Sequence, residues 1–359
     1  MSSEWTVRMI GTDDKEWNKI VELLPGKNIY ITQEYNKLFE KHFCDEALLF
    51  VFGNESDFVV HPVWKRSIDL PFAKLPEKYF DVMSPWYHAG PTMKLEDSSF
   101  QEKLGKEFLT AFHDYCVKNK IVSEFIRFYP VINNHTLFSD ILNMKKIGDV
   151  VIVNLDRTVD EIFRSFSKVC RKNIRRATKS GIEVFNSNKT EDIQKFFEIY
   201  SKSMERKKAI EFYKFSYEFL KDLFELLKDN ATMFFATYKD NIIVGDIVLH
   251  KYGIAEDYLR GFDPSFSNMR PNNMLVYVIV QWCKEQGNKL FNLGGGQSTG
   301  DELFRFKSGF SKTTAEYYVS GIVHNQEIYD SLCKKWETHI KTIENKEYFP
   351  LYRCETEID

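Results

Sequence analysis

No apolar run in the 359-residue chain approaches the ~20 residues of a membrane span. Its first residues, MSSEWTVRMIGTDDKEW, hold no apolar stretch of the kind a secretion signal needs. Both absences point to a cytoplasmic protein without stable membrane insertion. The cysteines (Cys44, Cys116, Cys170, Cys283, Cys333 and Cys354) show no C-x-x-C and no metal-ligand spacing. That argues against a metal site or a disulfide framework and leaves free thiols in a reducing compartment. No signature of a nucleophile surrounds any of them. There is no low-complexity linker, no G-x-G-x-x-G, and no Gly-Lys-Ser/Thr opening a helix, so neither a dinucleotide fingerprint nor a Walker A loop is present. The net charge is only −3, so any strong positive field must be local.

One such place exists. Arg164–Lys179, RSFSKVCRKNIRRATK, carries seven basic residues and no acid. At 100° per residue, Arg164, Lys168, Arg171, Lys172, Arg175, Arg176 and Lys179 fall within an arc of roughly 140°. Ile162, Phe163, Phe166, Val169, Cys170, Ile174 and Ala177 take most of the other side. Thr158 and Glu161 form a capping box and Gly181 a C′ glycine, which predicts one helix over 158–180. A run of charge is usually a solvated face. Such faces mix signs for i,i+4 support, however, and this one does not. A phosphate-bearing ligand is the natural counterpart, held by Lys168, Arg171, Lys172 and Arg175. Asn173, near the centre of the apolar side, is an amide with no evident partner.

The remaining pattern alternates helices with strands. Before residue 150 it predicts strand 5–10, helices 13–24 and 32–42, hairpin 47–52/58–65, an aromatic loop 79–92, helix 100–119 and strand 122–128. After a strand at 150–155 and the basic helix come strand 182–185 and helices 190–207 and 216–227. Strands 233–238, 242–251 and 254–261 follow, then helix 274–286, strand 289–292, strand 315–323 and a last helix over 325–343. The fold class is α+β: two units, 1–150 and 151–359, each a mixed, largely antiparallel sheet covered by helices. The last helix packs back on the first unit in this reading.

Residues 292–310, NLGGGQSTGDELFRFKSGF, are the second distinctive stretch. Three glycines after a strand permit close backbone approach to an anion, making Gly294, Gly295 and Gly296 candidates for phosphate; a tight structural turn explains them as well. Lys307, between Phe306 and Phe310, is a cation in an otherwise apolar or small segment, suited to negative charge on a substrate or oxyanion.

Four stretches, 81–91 (DVMSPWYHAGP), 167–181 (SKVCRKNIRRATKSG), 204–217 (MERKKAIEFYKFSY) and 293–310, resemble in order and spacing the FemAB-type branch of the GNAT acyltransferase superfamily. That branch includes the FemX-like aminoacyltransferases of peptidoglycan branching. The resemblance spans about Thr32 to Tyr329. It implies two tandem GNAT-like units and transfer of an acyl group to an amine, with no permanently bound cofactor and aminoacyl-tRNA or acyl-CoA as co-substrate. The partner it implies is a phosphorylated amino-sugar or peptidoglycan precursor, and tRNA if that is the donor. It sets Lys307 beside the acyl donor or oxyanion, with Phe306 shaping the pocket. Arg206, Tyr213 and Tyr217 match the acceptor side, Lys41 matches a lysine on the acceptor's phosphates, and Tyr258 lies on a cleft-lining strand. Asp81 is the nearest carboxylate for the amine proton, although Ala89 replaces a usual glycine and no acid follows Pro91.

The departures bear on the donor. CoA-dependent GNAT enzymes grip pyrophosphate with Gln/Arg-x-x-Gly-x-Gly/Ala before a helix. Here that place reads NMRPNNM, residues 268–274, with no glycine. The balance falls toward aminoacyl-tRNA. A different class fits the basic stripe as well: a non-catalytic RNA- or nucleotide-binding module on the same scaffold.

Overall fold

The computed structural model describes residues 5–207, 213–296, 300–339 and 348–354. It divides into two compact units, residues 1–147 with 317–359, and residues 148–316. No helix among the described residues is long and apolar enough to cross a membrane.

The first unit runs β1 (Thr6–Gly11), α1 (Glu16–Glu22), α2 (Gln33–His42), β2 (Glu46–Gly53), β3 (Phe58–Ser67), β4 (Phe80–Met83), β5 (Thr92–Lys94), α3 (Gln101–Lys118) and β6 (Ile121–Arg127). The second runs β7 (Lys145–Asn154), α4 (Val159–Ser165), α5 (Lys168–Lys179), β8 (Glu183–Ser187), α6 (Thr190–Arg206), α7 (Tyr217–Leu227), β9 (Ala231–Tyr238), β10 (Asn241–Lys251), β11 (Ile254–Phe262), α8 (Pro271–Glu285), β12 (Leu290–Gly294) and α9 (Glu302–Lys307). Then β13 (Thr314–Val323) and α10 (Gln326–His339) follow.

In the first unit the strand order is β1-β2-β3-β4-β6-β13, with β5 on β3. All pairs are antiparallel except β4 with β6. Its core sets Phe50, Val63 and Ile126 of the sheet against Leu104, Phe108 and Phe112 of α3, which recur at the i, i+4, i+8 spacing of one helix face. In the second unit the order is β7-β12-β11-β10-β9-β8. Its core joins Val151 and Phe291 of the sheet to Cys170, Ile174 and Ala177 of α5 and Leu275, Val276 and Ile279 of α8.

Three differences from the sequence reading have physical causes. The described residues from Tyr317 on group with the first unit rather than the second: β13, read as part of the second unit, pairs with β6 through Val319–Val323, while α10, read as packing back on the first unit, buries Leu332 and Trp336 with Tyr79 and Val122. The predicted helix end, Ile343, lies outside the described residues. The expected single helix over 158–180 is two: Phe166 turns extended (ψ 150) and the Ser167 hydroxyl caps α5 by accepting from Cys170 N–H at 3.1 Å. The capping box at Thr158 and Glu161 is present, and Gly181 takes φ +76 after α5. Val169, read onto the apolar side, is 67% exposed, because the break rotates α5 relative to α4. Asn173 is half-buried rather than sealed in the core.

Candidate active site

The second unit contains an opening in its sheet. Strands β11 and β12 are parallel but pair over only three residues, Ile254 with Leu290, Ala255 with Phe291 and Glu256 with Asn292. The last pair is pinned by a side-chain bond, Asn292 Nδ2 to Glu256 Oε2 at 2.8 Å, with both residues buried. Asn292 Oδ1 also accepts from the Gly294 N–H at 2.9 Å. Beyond this point β11 continues to Phe262 without β12. On its other side the register to β10 steps between Ile247 and Val248, so that Tyr258 has no Cα partner. This bulge puts Asp257 and Arg260, three residues apart, within bonding reach of each other.

Lys307 is the last residue of α9, a helix capped by Asp301, whose carboxylate accepts from Phe304 N–H at 2.7 Å. Its Nζ donates to the Gly295 carbonyl at 2.8 Å, which is its one hydrogen bond among the described residues. The three glycines make this possible. Gly294 has φ +73, and a Cβ there would stand 3.1 Å from Lys307 Nζ; one on Gly295 would meet the Asp149 carbonyl at 2.8 Å, and one on Gly296 would collide with the Asp301 carboxylate. Turn geometry and close packing thus account for the triplet, and phosphate binding is not needed to explain it. Burial lowers the Lys307 pKa, and Arg260 adds to this; Asp257, Asp246 and Asp301 oppose it. Phe306 is half-buried, edge-on to Phe310 at 5.4 Å, and Tyr258 is buried.

The cationic face stands next to this assembly. Ser167 N–H donates to the Gly309 carbonyl at 2.8 Å, tying the start of α5 to the turn after α9. Arg171 is committed elsewhere: its Nη1 donates to the carbonyls of Arg164 and Phe166 at 2.5 and 2.6 Å, capping the end of α4. Arg164, on α4, sits 3.9 Å from Asp160. Lys168, Lys172, Arg175, Arg176 and Lys179 are exposed and have no ion pair among the described residues. Without Arg171 their arc narrows to roughly 100° over about 16 Å of axis.

Arg206 donates to the Phe262 carbonyl and to Ser203 Oγ, both at 3.1 Å, which brings it to the far end of β11. Tyr213 is exposed and its carbonyl accepts from the Tyr200 hydroxyl at 2.7 Å. Tyr217 opens α7, half-buried beside Phe197.

In the first unit, Lys41 is exposed in the last turn of α2, beside a hollow of about 490 Å³ that Arg66, Ser67 and Arg353 also line. Asp81 is fully buried on β4. It accepts from Arg66 at 2.7 and 2.9 Å, from Arg353 Nε at 2.6 Å and from the Tyr352 hydroxyl at 3.2 Å. With both oxygens filled by these donors, Asp81 presents no open position to a substrate amine. The expectation that Asp81 is the base is withdrawn on this ground.

The sequence reading passed over the charged cluster at the bulge. Asp246 on β10 is fully buried; its Oδ2 receives Arg260 Nε at 2.7 Å and Nη2 at 2.6 Å, and Arg260 Nη2 also reaches Asp257 Oδ1 at 2.8 Å. The signal was there in NIIVGDIVLHK, residues 241–251, an acid in the middle of a strand otherwise apolar enough to be buried on both faces.

The chain is similar to known proteins in sequence and in fold. Residues 164–308 match the family described as "Acetyltransferase (GNAT) domain". A UDP-N-acetylmuramoylpentapeptide-lysine N(6)-alanyltransferase of Weissella viridescens is 24% identical over 230 residues, 62% of this chain and 63% of that protein, so the chain matches a little under two thirds of its length. The crystal structure of FemX superposes with a TM-score of 0.69 at 14% identity, covering 91% of this chain and 99% of that one. A tandem GNAT protein from the clavulanic acid biosynthesis pathway gives 0.55 at 9% identity, over 90% and 99%. The chain therefore has the tandem GNAT fold, and the likeness to FemX-type proteins carried by four stretches of its sequence holds in sequence and in structure.

Proposed function

We propose that the chain is an N-acyltransferase. It would move an aminoacyl group from aminoacyl-tRNA to an amine of a phosphorylated amino-sugar or peptidoglycan-precursor acceptor, of the kind named for the Weissella viridescens relative. One observation carries the reading: the Lys307 ammonium sits by the β11–β12 opening with one of its three donors used, on the Gly295 carbonyl. An ammonium so placed can donate to the oxygen of an ester carbonyl as it becomes an oxyanion. The acceptor amine, once neutral, attacks the ester carbon; as the tetrahedral intermediate collapses the C–O bond breaks, and the departing ribose oxygen takes up the proton that the attacking nitrogen gives up. Alignment of the two substrates supplies the rest. Phe306 and Tyr258 bound the acyl end in this reading, and Arg206, Tyr213, Tyr217 and Lys41 serve the acceptor.

The unpaired cations of α5 support tRNA over acyl-CoA. Lys168, Lys172, Arg175, Arg176 and Lys179 follow one another over about three turns, longer than a single pyrophosphate can engage and suited to a chain of phosphates. The segment 268–274, which leads into the first turn of α8, lacks the glycines of a CoA grip, and Arg270 alone supplies charge there.

The test is parallel incubation with labelled aminoacyl-tRNA and with acetyl-CoA, followed by mass analysis of nucleotide-linked amino-sugar and muropeptide acceptors. The expected product is the aminoacyl adduct, made by the native chain and lost in Lys307→Ala, while tRNA binding persists. No turnover with either donor, together with retained RNA binding, would favour the non-catalytic binding module.

A further inference from the structure

The charged cluster at the β11 bulge has no part in substrate contact as described so far, yet its construction is unusual for a purely structural pair. A buried carboxylate and guanidinium normally saturate each other. Here Arg260 is shared between two acids, and Asp246 Oδ1 is buried with no hydrogen-bond partner among the described residues. The bulge at Tyr258 brings Asp257 to Arg260; in a regular strand residues i and i+3 point to opposite faces. The charged groups that act on Lys307 are Asp257 and Arg260 on β11, Asp246 on β10 and Asp301 at the start of α9.

Resting on the acyltransferase reading above, we infer that Asp257, tied through Arg260 to the buried Asp246, is a positioning residue that holds Lys307 as a cation at the β11–β12 opening. The physical need is plain. An ammonium partly stripped of water loses its proton readily, and a neutral amine is a much weaker partner for an oxyanion. Direct neutralisation by a touching carboxylate would occupy the donors that the oxyanion needs. The cluster avoids this by offering negative charge at a distance: Lys307 keeps its one hydrogen bond among the described residues to a neutral carbonyl and still feels the Asp257 carboxylate. Burial, with Asp257 beside it, keeps the Asp246 carboxyl above its usual range against the pull of Arg260. Asp257 is the largest influence opposing Lys307's loss of its proton, and it is the residue to change.

The test compares Asp257→Asn with the native chain in two ways. The first is the ¹³Cε shift of Lys307 in lysine-labelled protein, assigned by its disappearance in Lys307→Arg and followed from pH 6 to 11. The midpoint should fall by roughly one unit in Asp257→Asn. An unmoved midpoint overturns the inference, whether or not any donor gives turnover, so this arm stands apart from the reading of function. The second is the pH profile of kcat/KM. Its high-pH limb should move down with the Lys307 midpoint, while the rate at lower pH stays within about threefold. In Lys307→Arg, whose guanidinium remains charged, adding Asp257→Asn should leave the shape of the profile unchanged. A loss equal at every pH would mean that Asp257 serves only the local structure, and would also overturn the inference. Thermal unfolding of each variant guards against misfolding.

Discussion

The two units each bury an aspartate among arginines, and the difference between the two arrangements separates structure from function. Asp81 in the first unit has both oxygens filled: Arg66 on one, Arg353 and Tyr352 on the other, with Tyr352 bonded in turn to Ser123. Both oxygens of the carboxylate are taken, so Asp81 itself has no open position for a substrate. Asp246 in the second unit shares its arginine with Asp257, leaves one oxygen unfilled, and lies within electrostatic reach of a half-used ammonium. A complete network holds a fold together, whereas an incomplete one has charge to spare for something that arrives later.

The comparison is broken most severely at Lys307. Lys307→Ala should lower kcat by about 10²–10³-fold, the scale for removing an oxyanion donor, with tRNA affinity unchanged within about twofold. Steady-state rates with saturating donor measure it. A KM effect alone would assign Lys307 to ground-state binding instead.

Asp81→Asn should do the opposite. It leaves Arg66 and Arg353 facing a neutral amide at a fully buried position. Breaking a buried pair this way costs roughly 3–5 kcal/mol; the guanidiniums are partly exposed, so about 3 is expected, read from the urea midpoint. Activity per folded molecule should hold. A large loss of activity at full stability would restore Asp81 as a chemical group.

A second buried network in the first unit bears on stability in its own way. Buried Glu124 meets His61 Nε2 at 2.5 Å and His324 Nε2 at 3.3 Å, and His324 Nδ1 meets His113 Nδ1 at 3.0 Å. Burial alone would raise its pKa, but the bonds from His324 and His61 outweigh this and bring it to about 2. A carboxyl depressed in the folded state adds stability that is present above its unfolded value and is lost as pH falls from about 4.5 towards 2. Stability should drop by a few kcal/mol across that window, and Glu124→Gln should flatten the drop in acid-unfolding curves.

The sequence carried much of this and missed a definable remainder. Periodicity and caps located α5, the capping box at Thr158 and the strands from β9 to β12, because those signals are local. The break at Phe166–Ser167 escaped because a two-residue interruption barely disturbs a 100° count. The cluster of Asp246, Asp257 and Arg260 escaped for a different reason: its bonds cross strands and depend on one extra residue at Tyr258, and register is not written in either strand alone. Asp81 was misread because nearness in sequence to the Gly-Pro loop said nothing of Arg353, 272 residues away.

The finest form of the contrast lies within α5. Arg171 and Arg175 are one turn apart in the same cationic stripe, yet the first is spent on the carbonyls of Arg164 and Phe166 and the second is free of ion pairs among the described residues, lying 5.9 Å from the Phe163 ring. Arg171→Ala should therefore cost about 1 kcal/mol of stability, as loss of a helix cap does, and leave the salt dependence of RNA binding alone. Arg175→Ala should change stability by no more than about 0.5 kcal/mol and reduce the slope of log K against log salt by about 0.7–0.9, the contribution of one phosphate contact. Fluorescence anisotropy of labelled tRNA over a salt series, paired with urea unfolding, reads both. Equal slopes for the two variants would mean that the stripe acts as a diffuse field and that Arg171's hydrogen bonds do not withdraw it from binding.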